Sequence, residues 1–209
     1  MEIEPIRERG ENAKAEEMRA EILEHAVGLF KHYGFSKTNI GDIAECCGMS
    51  AGNLYRYFRN KQAIGLACVE QHFQSEQSIL LALEESPGGA PEDRIRNWLV
   101  SAVKHMVAEC EQHPKIVELA EFLMEDDDGW ALLQDHIQWK RRHLALEIRR
   151  GIEAGALAPC DAEETAKAVL MALKAFWMPI TLARWRDRST IMPELNAILD
   201  LIMRGLRAR

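Results

Sequence analysis

The sequence predicts an all-α protein in two parts, a small N-terminal three-helix domain and a larger helical domain behind it. Three observations carry this. Apolar residues recur at helical spacing from Ile22 to Leu206. No segment sustains the period of two that a strand requires. The strongest breaker, Ser86 to Pro91 (SPGGAP), falls after four helical patterns and before the remaining ones. With 209 residues, 47% of them hydrophobic, the chain can bury a core of this kind.

The elements follow in order. Residues 1–13 are polar, contain Pro5 and Gly10, lack periodicity and read as a flexible tail. Ile22, Ala26, Leu29, Phe30 and Tyr33 then share one helical face. Gly34 ends that helix in the left-handed region. Asn39 is placed to cap a short second helix, with Asp42 at its third position approximating a capping box. Ile40, Ile43, Ala44 and Cys47 form its apolar face. Gly48 and Met49 make a tight turn, and Ser50 caps a third helix whose Leu54 and Phe58 face inward. Asn60 caps a fourth helix running to about Glu85. The first domain is thus residues 14–62 and the second 63–209. In the second, Ile95 to Cys110 give one helix and Pro114 starts another through Leu123. Glu125–Asp128 cap a long helix that Gly155 stops. Ala162 to about Trp185 and Met192 to about Leu206 complete the pattern.

The formal net charge of -7 argues against a nucleic-acid partner, because phosphate recognition needs positive charge. Its distribution answers the objection. From Lys31 to Lys61, Lys31, Lys37, Arg56, Arg59 and Lys61 stand against Asp42 and Glu45, a local balance of +3. The five cysteines include no C-x-x-C pair. The N-terminus is charged with no apolar core of a signal peptide, and no apolar run approaches the ~18 residues that span a bilayer. These features lead us to expect a cytoplasmic protein with reduced thiols and no membrane partner.

Two short helices joined by a glycine-containing turn form a helix-turn-helix. With Leu54 and Phe58 inward, Ser50, Ala51, Gly52, Asn53, Tyr55, Arg56 and Tyr57 fall on the outer surface or leading end. A tyrosine there can pack its ring on sugar or a thymine methyl and bond a phosphate through its hydroxyl. The stretch GFSKTNIGDIAECCGMSAGNLYRYFRNKQAI, residues 34–64, resembles the DNA-binding domain of the TetR (tetracycline-repressor-like) family. Asn39 departs from the family's frequent second threonine, and Cys46-Cys47 from its usual small residues.

The resemblance implies roles. Lys37, Thr38 and Asn39 lie where backbone N–H groups at the start of the second helix favour a phosphate. Tyr55, Tyr57 and Lys61 match positions that grip the DNA backbone. Ala51, Gly52 and Asn53 would approach base edges, and of these only Asn53 can both donate and accept, as adenine requires. Bland readings stand beside these. Tyr57 packs on the first helix, or it touches DNA. Arg56 and Arg59 are a solvated face, or they touch phosphate. Arg7 and Arg9 could form a minor-groove arm, although acidic neighbours oppose it.

For the second domain the resemblance implies a homodimer made by the last two helices and a small-molecule pocket within the middle ones. The apolar residues of both terminal helices spread beyond one stripe, which supports a subunit contact through Val169, Leu173, Ile180, Leu195, Leu199 and Ile202. Pocket candidates are Trp98, Met106, Phe122, Trp139, His143, Phe176 and Trp177, whose side chains suit an apolar ligand and equally suit a plain core. His105, Glu109 and His113, or Cys68 and His72, have metal-ligand spacing, but a solvated face or core histidine explains them as well; no metal or cofactor is expected. No nucleophile–His–acid set or phosphate loop suggests an enzyme. The expected partners are palindromic operator DNA, a second copy of the chain and an effector. The leading reading is a repressor released from operator DNA by a small, mainly apolar ligand; the alternatives are an architectural DNA-binding protein without a ligand and, behind it, an enzyme.

Overall fold

The computed structural model describes residues 6–84 and 89–208, with side chains from Ala13 onward. The chain divides into two compact units, residues up to Gln71 and residues from His72. The sequence boundary, at 62/63, lies nine residues earlier. The difference arises in the fourth helix, whose first half belongs to the N-terminal unit: Ile64, Cys68 and Val69 are buried there, and the Cys68 thiol points at the Leu23 carbonyl.

Four helices, α1 (Ile6–Tyr33), α2 (Ile40–Cys46), α3 (Ala51–Leu54) and α4 (Lys61–Glu84), precede the breaker. Helix α1 starts at Ile6, so residues 6–13 are helical where a tail was expected; residues 1–5 and the side chains of Arg7 and Arg9 lie outside the described part. Ile22, Leu23, Ala26 and Phe30 form its buried stripe. Tyr33, placed on that stripe by periodicity, is instead 55% exposed, at the last residue of the helix. Gly34 has φ 95°, and its N–H donates to the Phe30 carbonyl at 3.0 Å. A Cβ would oppose that backbone, so glycine is the residue that lets α1 stop.

The C-terminal unit holds α5 (Pro91–Gln112), α6 (Ile116–Glu125), α7 (Asp127–Glu153), α8 (Ala162–Ala172), α9 (Lys174–Trp177), α10 (Pro179–Ala183) and α11 (Ile191–Leu206). Asp126 caps α7 by accepting from the Gly129 N–H at 2.9 Å, within the acidic run the sequence marked. The single helix expected from Ala162 to Trp185 is broken twice. Pro179 brings no N–H and disfavours helical backbone at Met178, which is extended at φ -96°, ψ 117°. Leu173 makes a tighter turn that no glycine or proline announces. The core is apolar, with Leu99, Ala102, Val103, Ala145, Leu173 and Leu199 fully enclosed.

A polar group of three charged or titratable side chains sits inside this unit. The Glu76 carboxylate (α4) accepts from His136 Nε2 at 2.7 Å and Lys140 Nζ at 2.9 Å, both on α7. All three side chains are buried. Gln77 Nε2 lies 3.3 Å from His136 Nδ1. With the Gln77 amide donating there, the imidazole carries its proton on Nε2 and donates it to Glu76. Burial alone would raise the Glu76 pKa. The Lys140 charge, with the hydrogen bonds from His136 and Lys140, outweighs burial and holds it at about 2.

Burial pushes His136 below the ordinary imidazole value, the Glu76 hydrogen bond opposing it and Lys140 adding to it. Burial does the same to His72, with Glu76 and Glu109 opposing and His105 and His136 assisting. For a base depressed in the folded state, the unfolded chain takes up the proton first. Stability from this source is therefore full above the unfolded value of about 6.5 and is lost as pH falls. Glu76 adds to the same trend lower down, between about 4.5 and about 2. We expect thermal unfolding to show stability declining below pH 6.5, by up to about 1.4 kcal/mol per pH unit for each such histidine. His136→Gln should flatten this dependence by roughly half. An unchanged slope would exclude His136 as a contributor.

Candidate nucleic-acid interface

The site is built by two caps and one turn. Asn39 Oδ1 accepts from the Asp42 N–H at 3.1 Å, and Asp42 Oδ2 accepts from the Asn39 N–H at 2.8 Å. This closes the capping box the sequence approximated and starts α2. Ile43 and Ala44 anchor α2 to the core. Its end is a Schellman motif: the Met49 N–H donates to Ala44 O at 2.9 Å and the Gly48 N–H to Glu45 O at 3.0 Å. Gly48 sits at φ 63°, where a β-carbon would be strained. Ser50 Oγ then accepts from the Asn53 N–H at 3.2 Å and launches α3. Leu54 and Phe58 are buried, as their spacing required. The local pattern thus holds α3 by its inner side and turns its other side outward.

The sequence candidates divide by exposure. Lys37, Asn39, Ser50, Gly52, Tyr55 and Arg56 are exposed, and Ala51, Asn53 and Tyr57 are half-buried. Tyr55 presents 54% of its surface, a large amphipathic side chain left in water. Asn53 keeps its amide near the surface, with only a weak contact from Nδ2 to Met49 Sδ at 3.9 Å.

Two candidates have other work. Thr38 is 2% exposed, and its Oγ1 donates to Gly34 O at 2.8 Å, so its hydroxyl faces the α1 terminus and not DNA. Lys61 Nζ donates to the carbonyls of Phe35 (2.8 Å), Thr38 (3.0 Å) and Ser36 (3.4 Å), and lies 4.6 Å from the Phe35 ring centroid. Its charge ties the α1–α2 link to the start of α4. The local balance of +3 therefore overstates the charge offered to a phosphate. Asp42 also stands at the leading turn of α2, where an anion was expected to dock.

Sequence reasoning missed Arg19. Its guanidinium lies 4.3 Å from the Phe58 ring centroid and donates to the Tyr57 carbonyl, joining α1 to the turn after α3. Tyr57 is fixed through this backbone contact with its ring half-buried. No local pattern could signal a pair 38 residues apart. Cys46 is exposed and Cys47 half-buried; burial, then Glu21 and Cys46, push the Cys47 thiol up, away from thiolate chemistry.

In the C-terminal unit, Trp98, Met106 and Phe176 are buried, while Phe122, Trp139, His143 and Trp177 are half-buried. Trp139 gathers part of the pocket set: its ring lies 6.5 Å from Trp98 and 4.2 Å from His143. Phe176 instead packs on Trp185 at 5.2 Å. His105 and Glu109, for which a solvated face was one reading, are half-buried. Val169, Leu173, Leu195 and Leu199 are core residues of this chain, which removes them from a subunit contact. Ile180 and Ile202 are half-buried and stay available. The apolar surface actually left open on these helices is Met171 (68%) and Leu201 (66%). No helix of the described residues is long and apolar enough to cross a membrane.

The profile of bacterial regulatory proteins, tetR family, matches residues 22–68. That of the tetracyclin repressor-like C-terminal domain matches residues 91–199. The chain is 26% identical over 198 residues to the HTH-type transcriptional regulator RutR of Escherichia coli K12, covering 90% of each. It is 26% identical over 139 residues to the HTH-type transcriptional regulator TtgR of Pseudomonas putida, covering 66% of this chain and 64% of that one. The chain thus spans just under two thirds of the length of TtgR. Among solved structures it is similar to a TetR-family regulator from Pectobacterium atrosepticum (TM-score 0.71, 23% identity, 94% and 97% covered). It is also similar to a transcriptional regulator from Saccharomonospora viridis in complex with choline (TM-score 0.71, 21% identity, 93% and 100% covered).

Proposed function

Because this chain belongs to the tetR family of bacterial regulatory proteins, we propose that it is a cytoplasmic transcriptional repressor that holds palindromic operator DNA as a homodimer and releases it on binding a small, mainly apolar effector. It performs no chemistry on either partner. The observation that carries this reading is the outer side of α3 and the turn that follows it, where Gly52, Asn53, Tyr55 and Arg56 stand on a doubly capped frame. Tyr55 and Arg56, with Lys37, hold phosphates; Asn53 and Ala51 read base edges; Gly52 lets the backbone approach. The dimer contact is carried by Met171 and Leu201, together with the half-buried Ile180 and Ile202. Two copies would present two α3 helices to half-sites about 34–36 Å apart, or a multiple of that.

The test is operator binding by Tyr55→Ala. Its exposed side chain touches little of the fold, so the melting temperature should hold while affinity falls about tenfold in a gel shift at physiological salt. Equal affinity would remove α3 from the interface. Sedimentation of the wild type as a monomer at micromolar concentration would remove the dimer.

A further inference from the structure

The interior formed by α4, α5 and α7 contains more polar chemistry than packing requires. His72 stacks on His105 with centroids 5.4 Å apart. Phe73 stacks on His136 at 3.9 Å with rings parallel to 2°. His136 and Trp139 are parallel to 3°, and Trp139 and Trp98 to 22°. The four rings present a row of nearly aligned faces. Among them Trp98 is 2% exposed and its indole Nε1 has no hydrogen-bond acceptor. His105 Nε2 likewise makes no hydrogen bond. A buried N–H without an acceptor costs a folded protein free energy unless something else supplies one. Trp139, His143 and Trp177 are only half-buried.

We propose that Trp98 is the recognition donor of the effector site, and that the effector is a neutral planar aromatic molecule bearing a hydrogen-bond acceptor such as a ring-conjugated carbonyl. This rests on the effector reading above. The aligned rings favour a flat aromatic guest. The indole N–H, a donor only, selects an acceptor on that guest. Charge is disfavoured from both sides. The Glu76 carboxylate is already matched by Lys140, and Lys140 Nζ stands 5.3 Å from the Trp177 centroid. A cationic guest would meet that ammonium at the aromatic face, and an anionic one would have to draw Lys140 away from the Glu76 carboxylate it already satisfies. Glu109 also faces His72 and adds to the cost of an anion.

Three probes of one shape separate these possibilities: 2-acetylnaphthalene, 2-ethylnaphthalene and 2-naphthoate, titrated calorimetrically into the full-length protein. The ketone should bind about tenfold tighter than the hydrocarbon, and the carboxylate weakest. Trp98→Phe keeps a flat ring and removes the donor; it should bring the ketone down to the hydrocarbon's affinity and leave the hydrocarbon unchanged. Should that variant melt well below the wild type, indole ¹⁵N spectra of the wild type decide. Of the five tryptophan signals, the one absent from the Trp98→Phe spectrum belongs to Trp98 and should shift on adding the ketone alone. Equal affinities for ketone and hydrocarbon, tightest binding of the carboxylate, no binding of any probe, or an unmoved Trp98 signal each overturn the proposal. Operator DNA is left out of these titrations and added in a separate gel shift with the ketone. Ketone binding that fails to release DNA would leave the site standing and remove the effector role. Release by a ligand of another chemistry would do the reverse.

Discussion

Glu76→Ala should destabilise the C-terminal unit by about 3–5 kcal/mol, read as a shift in the urea midpoint. The carboxylate is buried and accepts from both His136 and Lys140. Without it, Lys140 loses its carboxylate partner in an interior where it is only 7% exposed. An ammonium left alone there costs far more than the ion pair contributes. The converse substitution distinguishes this cause from a simple cavity. Glu76→Leu combined with Lys140→Met removes both charges and should recover most of the loss. If the double variant were no more stable than Glu76→Ala, an unpaired charge would not be the source.

Lys61→Ala should reduce stability of the N-terminal unit by about 2–3 kcal/mol, because three carbonyls lose a charged donor. Operator affinity should fall with it, through the loosened link between α1 and α2 and not through a lost phosphate contact. Salt dependence separates the two routes. A residue that neutralises a phosphate changes the slope of log affinity against log salt by about one; Lys61→Ala should leave that slope unchanged. Tyr55→Ala should leave stability unchanged, weakening DNA binding with the melting point intact.

The contrast between these positions marks what the sequence made legible. Caps and turns were readable because they are local: Asn39 with Asp42, Ser50 with Asn53, and Gly48 all act within a few residues. The inward placement of Leu54 and Phe58 followed from spacing alone. Contacts distant in sequence left no such trace. Lys61 reaches back 26 residues to Phe35, and Arg19 forward 38 to Tyr57. Arg19 looks from sequence like an ordinary surface cation, and Lys61 like a phosphate contact. Thr38 illustrates the limit of carrying roles over by position, since its hydroxyl closes the end of α1. In the C-terminal unit, periodicity places Val169 and Leu195 on apolar faces without saying which faces remain inside the chain. The buried Glu76–His136–Lys140 group was invisible, because a charged residue on a helix reads as solvated until its partners 60 and 64 residues away are known.

The central claim is that the outer side of α3 reads operator DNA as one half of a symmetric pair. The most direct measurement is selection of bound duplexes from a random library by the wild type and by Asn53→Ala. The wild type should enrich an inverted repeat whose half-site centres lie one helical turn apart or a multiple of it. Asn53→Ala should retain the repeat and lose preference at one base pair of each half-site, a discrimination of about 1–3 kcal/mol. Recovery of unrelated sequences, or of the same motif by both proteins, would contradict it.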